Sequence, residues 1–475
     1  MKKFYLTSAI PYVNAAPHIG HAQEFVYADT IRRFHTILGN KVFYLCGADE
    51  NALKIFQAAE KAKKTPKEFT DLHNQEFLDL AQKLQVEFDA WQRGSDTKKH
   101  FPSSQKLWDL CAKKGDIYKK SYSGLYCVGC ESFYTEEELD NRGECFEHPG
   151  RKLDLVSEEN YFFKLSKYQG FLEDLLNKDK LRIFPTFRKN EAMSFIKKGL
   201  PDFSISRSRE RARGWGIPVP DDPNQIMYVW FDALNIYQTG IGFASDEDSY
   251  NKWRPQDVMI IGKGIIRFHA VYWPAILKSA GLPLPKELFV HGYLTVDGQK
   301  MSKTLGNVVD PNKMIEKYGS DPVRFYLLKE IPSFSDGDFS ERRFKEIYNS
   351  DLANGLGNLV ARIAKLLEIN KVKLKKNTVK NISNGVKQEL EEYKFDSAIK
   401  LIWEKISGLD KFIQEKKPWE KNAEVSLEFW DKLTSGVREI AFDLQPFLPE
   451  TSEKIIRQFE GPEIKSGAPL FPRIK

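Results

Sequence analysis

Cysteine is scarce in this chain: five residues in 475, with Cys46 and Cys111 standing apart, too few and too uneven for a disulfide framework. A reducing compartment is expected, and the cytoplasm is the expected location. No apolar run reaches the length of a membrane span, because Pro, Asn or a charged residue breaks every candidate. No membrane partner is therefore expected. The opening Met1-Lys2-Lys3-Phe4-Tyr5-Leu6-Thr7 lacks the apolar core of an export signal, since Pro11, Asn14 and two histidines follow closely, and it reads as a first strand. No convincing internal repeat is present. Nor is one sign of charge in large excess: 72 Lys and Arg against 66 Asp and Glu leave +6, which permits a polyanionic partner without requiring one.

What is present is ordinary globular material, 41% hydrophobic and long enough for two to four domains. Phe4-Tyr5-Leu6-Thr7 and Val42-Phe43-Tyr44-Leu45-Cys46 read as strands around a helix from about Ala22 to Leu38, a βαβ unit. Val258-Met259-Ile260-Ile261 and Leu288-Phe289-Val290 flank a second helical segment, Phe268 to Ala280, so one parallel sheet is expected from two distant halves. The stretch from roughly Lys114 to Pro223, rich in Gly, Pro and charge, reads as an inserted subdomain. Past Lys345, Leu356, Leu359, Ile363 and Leu366, then Phe395, Ile399, Ile402, Ile406, Leu409 and Ile413, recur at helical spacing and predict an α-helical bundle. The lysine-rich stretch Lys371 to Lys380 is most simply a solvated loop.

Two motifs far apart read as one split site for a nucleoside triphosphate. His18-Ile19-Gly20-His21 lies at a strand-to-helix turn, where imidazole donors, backbone N–H groups and the helix dipole all favour phosphate. Lys300-Met301-Ser302-Lys303 supplies two mobile point charges. Cys127-x-x-Cys130 with Cys145-x-x-His148 has the spacing of a tetrahedral zinc site. Four protein ligands leave no open position, so this zinc is expected to be structural. The acidic residues beside it, Glu131, Glu136, Glu137, Glu138 and Asp140, argue against phosphate binding there.

With these motifs in hand, the chain resembles the methionyl-tRNA synthetases among the class I aminoacyl-tRNA synthetases, over essentially its whole length. The resemblance rests on Ile10-Pro11-Tyr12-Val13-Asn14 running into His18-Ile19-Gly20-His21, on the one-zinc knot and on Gly216-Ile217-Pro218-Val219-Pro220. It continues through Tyr228-Val229-Trp230-Phe231-Asp232-Ala233, Gly262-Lys263 with Phe268-His269, Asp297 to Lys303, and Lys417-Pro418-Trp419-Glu420.

The resemblance implies an α/β class I Rossmann-type parallel sheet split by a zinc-binding insertion, followed by a C-terminal helical anticodon-binding bundle. The implied divisions are 1–113 and 224–293 for the two halves of the catalytic domain and 114–223 for the insertion, with 294–345 for the Lys-Met-Ser-Lys loop and stem-contact region and 346–475 for the bundle. It implies ATP-dependent attachment of L-methionine to tRNA(Met) through methionyl-adenylate, with Mg2+ accompanying ATP. ATP is expected at His18, Gly20, His21, Lys263, Lys300, Met301, Ser302 and Lys303, with His18, His21, Lys300 and Lys303 catalytic by positioning and charge stabilisation.

Methionine is matched to Ile10, Tyr12, Asp49, Trp230, Ala233, Leu234, Tyr237, Ile265 and His269, an apolar and aromatic pocket for a thioether with Asp49 on the ammonium. Asn358, Arg362 and Trp419 fall where the family reads the CAU anticodon, by stacking and base-edge hydrogen bonds. A monomer is the expected state.

Departures from the family pattern are Asn51-Ala52 in place of His-Gly, Gly264 in place of an aspartate, and four arginines in Arg207 to Arg213. Ala52 replaces a residue free to adopt positive φ. Gly264 removes a ribose or substrate contact, and the arginines face either a tRNA acceptor end or solvent. Alternative readings are a cysteinyl- or leucyl-type class I synthetase, a small-molecule nucleotidylyltransferase, or an RNA-binding protein without activity. The short insertion and the complete set of histidines and lysines weigh against them.

Overall fold

The computed structural model describes residues 2–474 except 128–131, 135, 137–138, 146–149, 151, 302–305, 377–378 and 421–424, with backbone alone at 132–133. Six parallel strands form the central sheet: β1 (Lys3–Ser8), β2 (Lys41–Ala48), β3 (Ala90–Arg93), β4 (Arg182–Phe184), β5 (Val258–Gly262) and β6 (Glu287–His291). Their order is β3-β2-β1-β5-β6-β4. All of β1 past Lys3 is buried, the pattern of a strand covered on both faces. Leu6 registers with Val258 and with Tyr44, so β1 joins the two halves of the chain. The strand order reverses between β1 and β5, the switch point where open α/β sheets bind ligands beyond their carboxyl ends.

The first helix, α1 (Ile19–Ile37), begins three residues before the expected Ala22, because His18 caps it. The second expected helix opens with a π-type stretch, Phe268–Tyr272, continues as Trp273–Ala280, and stops at left-handed Gly281. The expected insertion differs more. Ile117–Cys127 and Asp154–Phe163 form its long antiparallel hairpin, but β4 lies inside the same segment and pairs with β6 in the central sheet. Leu172, Leu175, Leu176, Ala192 and Ile196, on the helices flanking β4, are buried in one cluster with Met259 and Ile261 of β5. The segment leaves the central sheet and returns to it before residue 223, where Arg182–Phe184 pairs with Glu287–Phe289.

The C-terminal region is helical as expected: Asn358–Ile369, Phe395–Lys416, Leu427–Asp443 and Pro449–Gln458. Ile363, Ile399, Ile402, Ile406 and Ile413 are buried on its inner faces. Arg324, fully buried, pins it to the elements around the central sheet. Its guanidinium pairs with Asp29 of α1 at 2.8 Å and donates to the carbonyls of Phe447, Leu84 and Pro446 at 2.8, 3.1 and 3.1 Å.

Candidate functional site

The turn from β1 into α1 builds the first wall. His18, in extended backbone conformation at the N-cap, accepts the Gly20 N–H through Nδ1 at 3.1 Å. His21 accepts the His18 N–H through its own Nδ1 at 3.1 Å. The result is a capping box made of two imidazoles, stacked with centroids 3.9 Å apart. Burial, then the neighbouring His18, holds the His21 pKa well below the usual value. With Nδ1 accepting in both neutral rings, the proton of each sits on Nε2 as a donor.

The expected contribution of backbone N–H groups is corrected here. Ile19 N–H donates to Val309 O at 3.1 Å, Gly20 N–H to His18 Nδ1, and His21 N–H to His18 O at 2.9 Å. The first-turn amides already have partners, so the imidazoles are what this turn offers to phosphate.

Aromatic and apolar side chains converge from the segment after β1, from α2 (Val229–Thr239) and from the segment after β5. Tyr12 meets Trp230 edge to face at 6.2 Å, and Trp230 stacks on Phe268 at 3.8 Å and 4°. Ala233, Leu234, Tyr237 and His269 are buried, while Ile10, Tyr12, Trp230 and Ile265 are half-buried, so the pocket has an open side. His269 Nδ1 lies 3.0 Å from the Ile265 carbonyl, and its Nε2 3.0 Å from the Tyr237 hydroxyl. Burial lowers the His269 pKa to about 4, so the ring is neutral: Nδ1–H donates to Ile265 and Tyr237 O–H donates to Nε2. Phe268, quoted in the sequence as part of the Phe268-His269 motif, was not named there as a pocket residue.

Asp49 follows β2 directly, is buried, and forms a parallel bridge with Tyr12. Its N–H donates to Pro11 O at 2.9 Å, and its carbonyl accepts Val13 N–H at 3.4 Å. The two departures beside it are accommodated. Asn51 is buried and its amide donates to Gly94 O at 2.8 Å and to Asp232 Oδ2 at 2.5 Å. Ala52 has φ −77°, so no glycine is needed there. Burial pushes the Asp232 carboxyl up to about 8 and the His100 imidazole, 3.9 Å away, down to about 3. The two meet as neutral groups. The Glu50 carboxylate holds Arg93 at 2.6 Å, and its carbonyl accepts Trp215 Nε1–H at 2.6 Å, fastening the segment 207–215 to this turn.

The opposite wall carries Lys263, paired with Asp336 at 2.7 Å, and the short strand Gln299–Lys300, which pairs with Leu294–Val296. Met301 Cε comes within 3.6 Å of an ideal Cβ on Gly20, so the two distant motifs are neighbours. Ser302 and Lys303 lie outside the described residues. Glu24 and His291 were not singled out in the sequence. Glu24 accepts Ala9 N–H at 2.6 Å and meets His291 Nε2 at 3.0 Å, tying α1 to the end of β6. The one available signal was Glu24 lying a helical turn after His21.

In the insertion, buried Cys127 and Cys145 bring their Sγ atoms to 3.3 Å without a disulfide. Two soft donors this close, beyond disulfide distance, suit ligands of one tetrahedral zinc. Cys130 and His148 lie outside the described residues. Of the four arginines in 207–213, two are internal. Arg207 is buried between Tyr126 and Tyr228, its guanidinium 5.2 and 4.5 Å from their ring centres. Arg211 covers Tyr126 at 4.1 Å. Arg209 and Arg213 are exposed.

In the bundle, Arg362 lies 4.7 Å over Trp419, which is 48% exposed, and pairs with Asp410 at 3.0 Å. Asn358, exposed one turn before Arg362, follows the helical stretch Tyr348–Gly357, so it caps no helix end.

Comparison with known proteins agrees with this geometry. The family model described as tRNA synthetases class I (M) matches residues 4–364. The methionine--tRNA ligase of Nostoc sp. is 41% identical over 96% of this chain and 90% of its own length. That of Thermotoga maritima is 38% identical over 99% of this chain and 80% of its own. Among solved structures, Mycobacterium tuberculosis methionyl-tRNA synthetase in complex with methionyl-adenylate superposes with TM-score 0.91 at 35% identity, covering both chains completely. The free-state form of that enzyme gives 0.83.

Proposed function

The chain belongs to the class I methionyl-tRNA synthetases and attaches methionine to tRNA through methionyl-adenylate; from that premise we propose how its residues divide the work. The observation that supports this division is the approach of Met301 Cε to within 3.6 Å of an ideal Cβ on Gly20, beside the paired histidines.

A methionine carboxylate oxygen attacks the α-phosphorus of ATP in line, and the bond to pyrophosphate breaks. A ribose hydroxyl at the 3′ end of tRNA then attacks the methionyl carbonyl carbon, the anhydride bond to phosphate breaks, and AMP leaves as the methionyl ester forms. Asp49 holds the substrate ammonium as a buried counter-charge. Ile10, Tyr12, Trp230, Ala233, Leu234 and Ile265 enclose the side chain, with Tyr237 fixed by His269 as the weak polar contact to sulfur. His18 and His21 donate through Nε2 to the triphosphate from one side. Lys263, Lys300 and Lys303, with Met301 and Ser302 of the same loop, close from the other as charge moves onto pyrophosphate. Magnesium accompanying ATP partly neutralises the phosphates.

Cys127, Cys130, Cys145 and His148 hold a structural zinc that orders the insertion; the close pair of Cys127 and Cys145 sulfurs supports this. Asn358, Arg362 and Trp419 receive the anticodon. We propose a monomer as the working unit. Among the described residues no helix is long and apolar enough to cross a membrane, and we place the enzyme in the cytoplasm.

ATP–pyrophosphate exchange on the purified chain, with zinc measured on the same sample, tests the reading. Exchange should require methionine and not proceed with leucine or cysteine, with about one zinc per chain, as four protein ligands imply. Lys303→Ala should slow exchange by about a hundredfold or more while methionine binding stays nearly intact. A parallel loss of binding and rate would remove the transition-state role given to that lysine.

A further inference from the structure

The loops leaving β5 and β6 meet at a point the assignments above leave unexplained. An ideal Cβ on Gly264 lies 1.9 Å from the Tyr293 hydroxyl oxygen and 3.1 Å from its Cζ. No side chain fits at 264 while Tyr293 holds this place. The tyrosine is braced from behind: Asp336 accepts Tyr293 N–H at 2.8 Å through one oxygen and pairs with Lys263 Nζ through the other at 2.7 Å. Asp336 comes this close because residue 292 is glycine. A Cβ there would stand 2.3 Å from the Ser335 backbone. Lys263 Nζ also covers the Tyr293 ring at 4.6 Å, and the tyrosine stays 36% exposed at the carboxyl end of the sheet beside the switch point.

We propose that Tyr293 is a nucleotide-positioning residue whose phenol hydrogen-bonds a ribose hydroxyl of ATP and of the adenylate, and that Gly264 lacks a side chain to admit it. The assignment rests on the adenylate-forming reading above. The phosphates of the nucleotide meet cations in Lys263 and Lys300. A neutral phenol, both donor and acceptor, suits a hydroxyl instead.

Exchange by the unaltered chain with ATP, 2′-deoxy-ATP and 3′-deoxy-ATP comes first. Absence of methionine-dependent exchange with ATP overturns the adenylate-forming reading, and this assignment with it. Once exchange is established, Tyr293→Phe should raise KM for ATP about three- to tenfold, the worth of one neutral hydrogen bond. KM for one of the two deoxynucleotides should stay unchanged, so the preference for ATP over it shrinks, and KM for methionine should move less than about twofold. No rise for ATP, or an equal rise for all three nucleotides, overturns the assignment while leaving the reaction intact. Gly264→Ala should displace the hydroxyl and reproduce the Tyr293→Phe effect. Added to a chain already carrying Tyr293→Phe it should cost much less, because the nearest remaining ring atom is 3.1 Å from the new Cβ. Equal cost in both backgrounds overturns the pairing of the two positions.

Discussion

Met301 Cε lies 3.6 Å from the point a Cβ on Gly20 would occupy, and the same point is 3.1 Å from two atoms of the His18 ring. A single methyl group added at residue 20 would therefore press on the capping imidazole while only touching the loop. Gly20→Ala should lower the exchange rate roughly ten- to a hundredfold by shifting His18, since small misplacements of positioning groups cost that much. Methionine affinity should change by less than about twofold. Kinetics of exchange and equilibrium binding of methionine separate the two effects, and a matched loss in both would show that Gly20 serves folding instead.

Trp419→Ala removes an exposed ring that Arg362 holds in place. Aminoacylation of tRNA should lose about ten- to a hundredfold in kcat/KM, the worth of one stacked base. Adenylate formation should be unaffected. If exchange falls equally, the bundle itself is disturbed. Arg362→Lys offers a second arm, because it keeps the charge and loses the planar stacking surface.

Arg324→Met should destabilise the chain by about 3 kcal/mol or more, read as a shifted urea midpoint. Three carbonyls from both sides of the seam lose their donor in a buried site. Asp29 retains Arg33 at 2.6 Å, which limits the loss. A change below about 1 kcal/mol would mean that water replaces the guanidinium.

His269 gives a pH signature. Its folded pKa of about 4 lies below the unfolded value of about 6.5, so the unfolded chain binds the proton first on acidification. The stability associated with this neutral ring is present above about pH 6.5 and is lost as pH falls toward 4. Between pH 7 and pH 5 the stability gap between the unaltered chain and His269→Gln should narrow by about 2 kcal/mol. Paired denaturant titrations at the two pH values measure it, and a constant gap would mean that the imidazole stays wet.

Much of the site was legible because its residues are local to short motifs: the histidine turn, the aromatic run on α2, the paired cysteines. Their convergence was legible through the βαβ pattern on each side of the insertion. What escaped notice depends on contacts between distant segments. β4 has three residues, too few for any periodicity, and only its pairing with β6 reveals it. Arg207 and Arg211 read as free cations until Tyr126 and Tyr228 are seen against them. The glycine at 264 reads as a lost contact in the sequence; in the fold a hydroxyl from residue 293 fills its place.

The pairing of β1 with β5 also has a consequence in time. Leu6 waits for Val258, 252 positions later by subtraction of the two numbers. At a synthesis rate of roughly 5–20 residues per second, the interval is about 10–50 s on the ribosome. Through it the inner edge of β1, with Tyr5 and Leu6 destined for full burial, is an open template for any other strand. Until β5 emerges the nascent chain carries an unpaired edge open to mispairing.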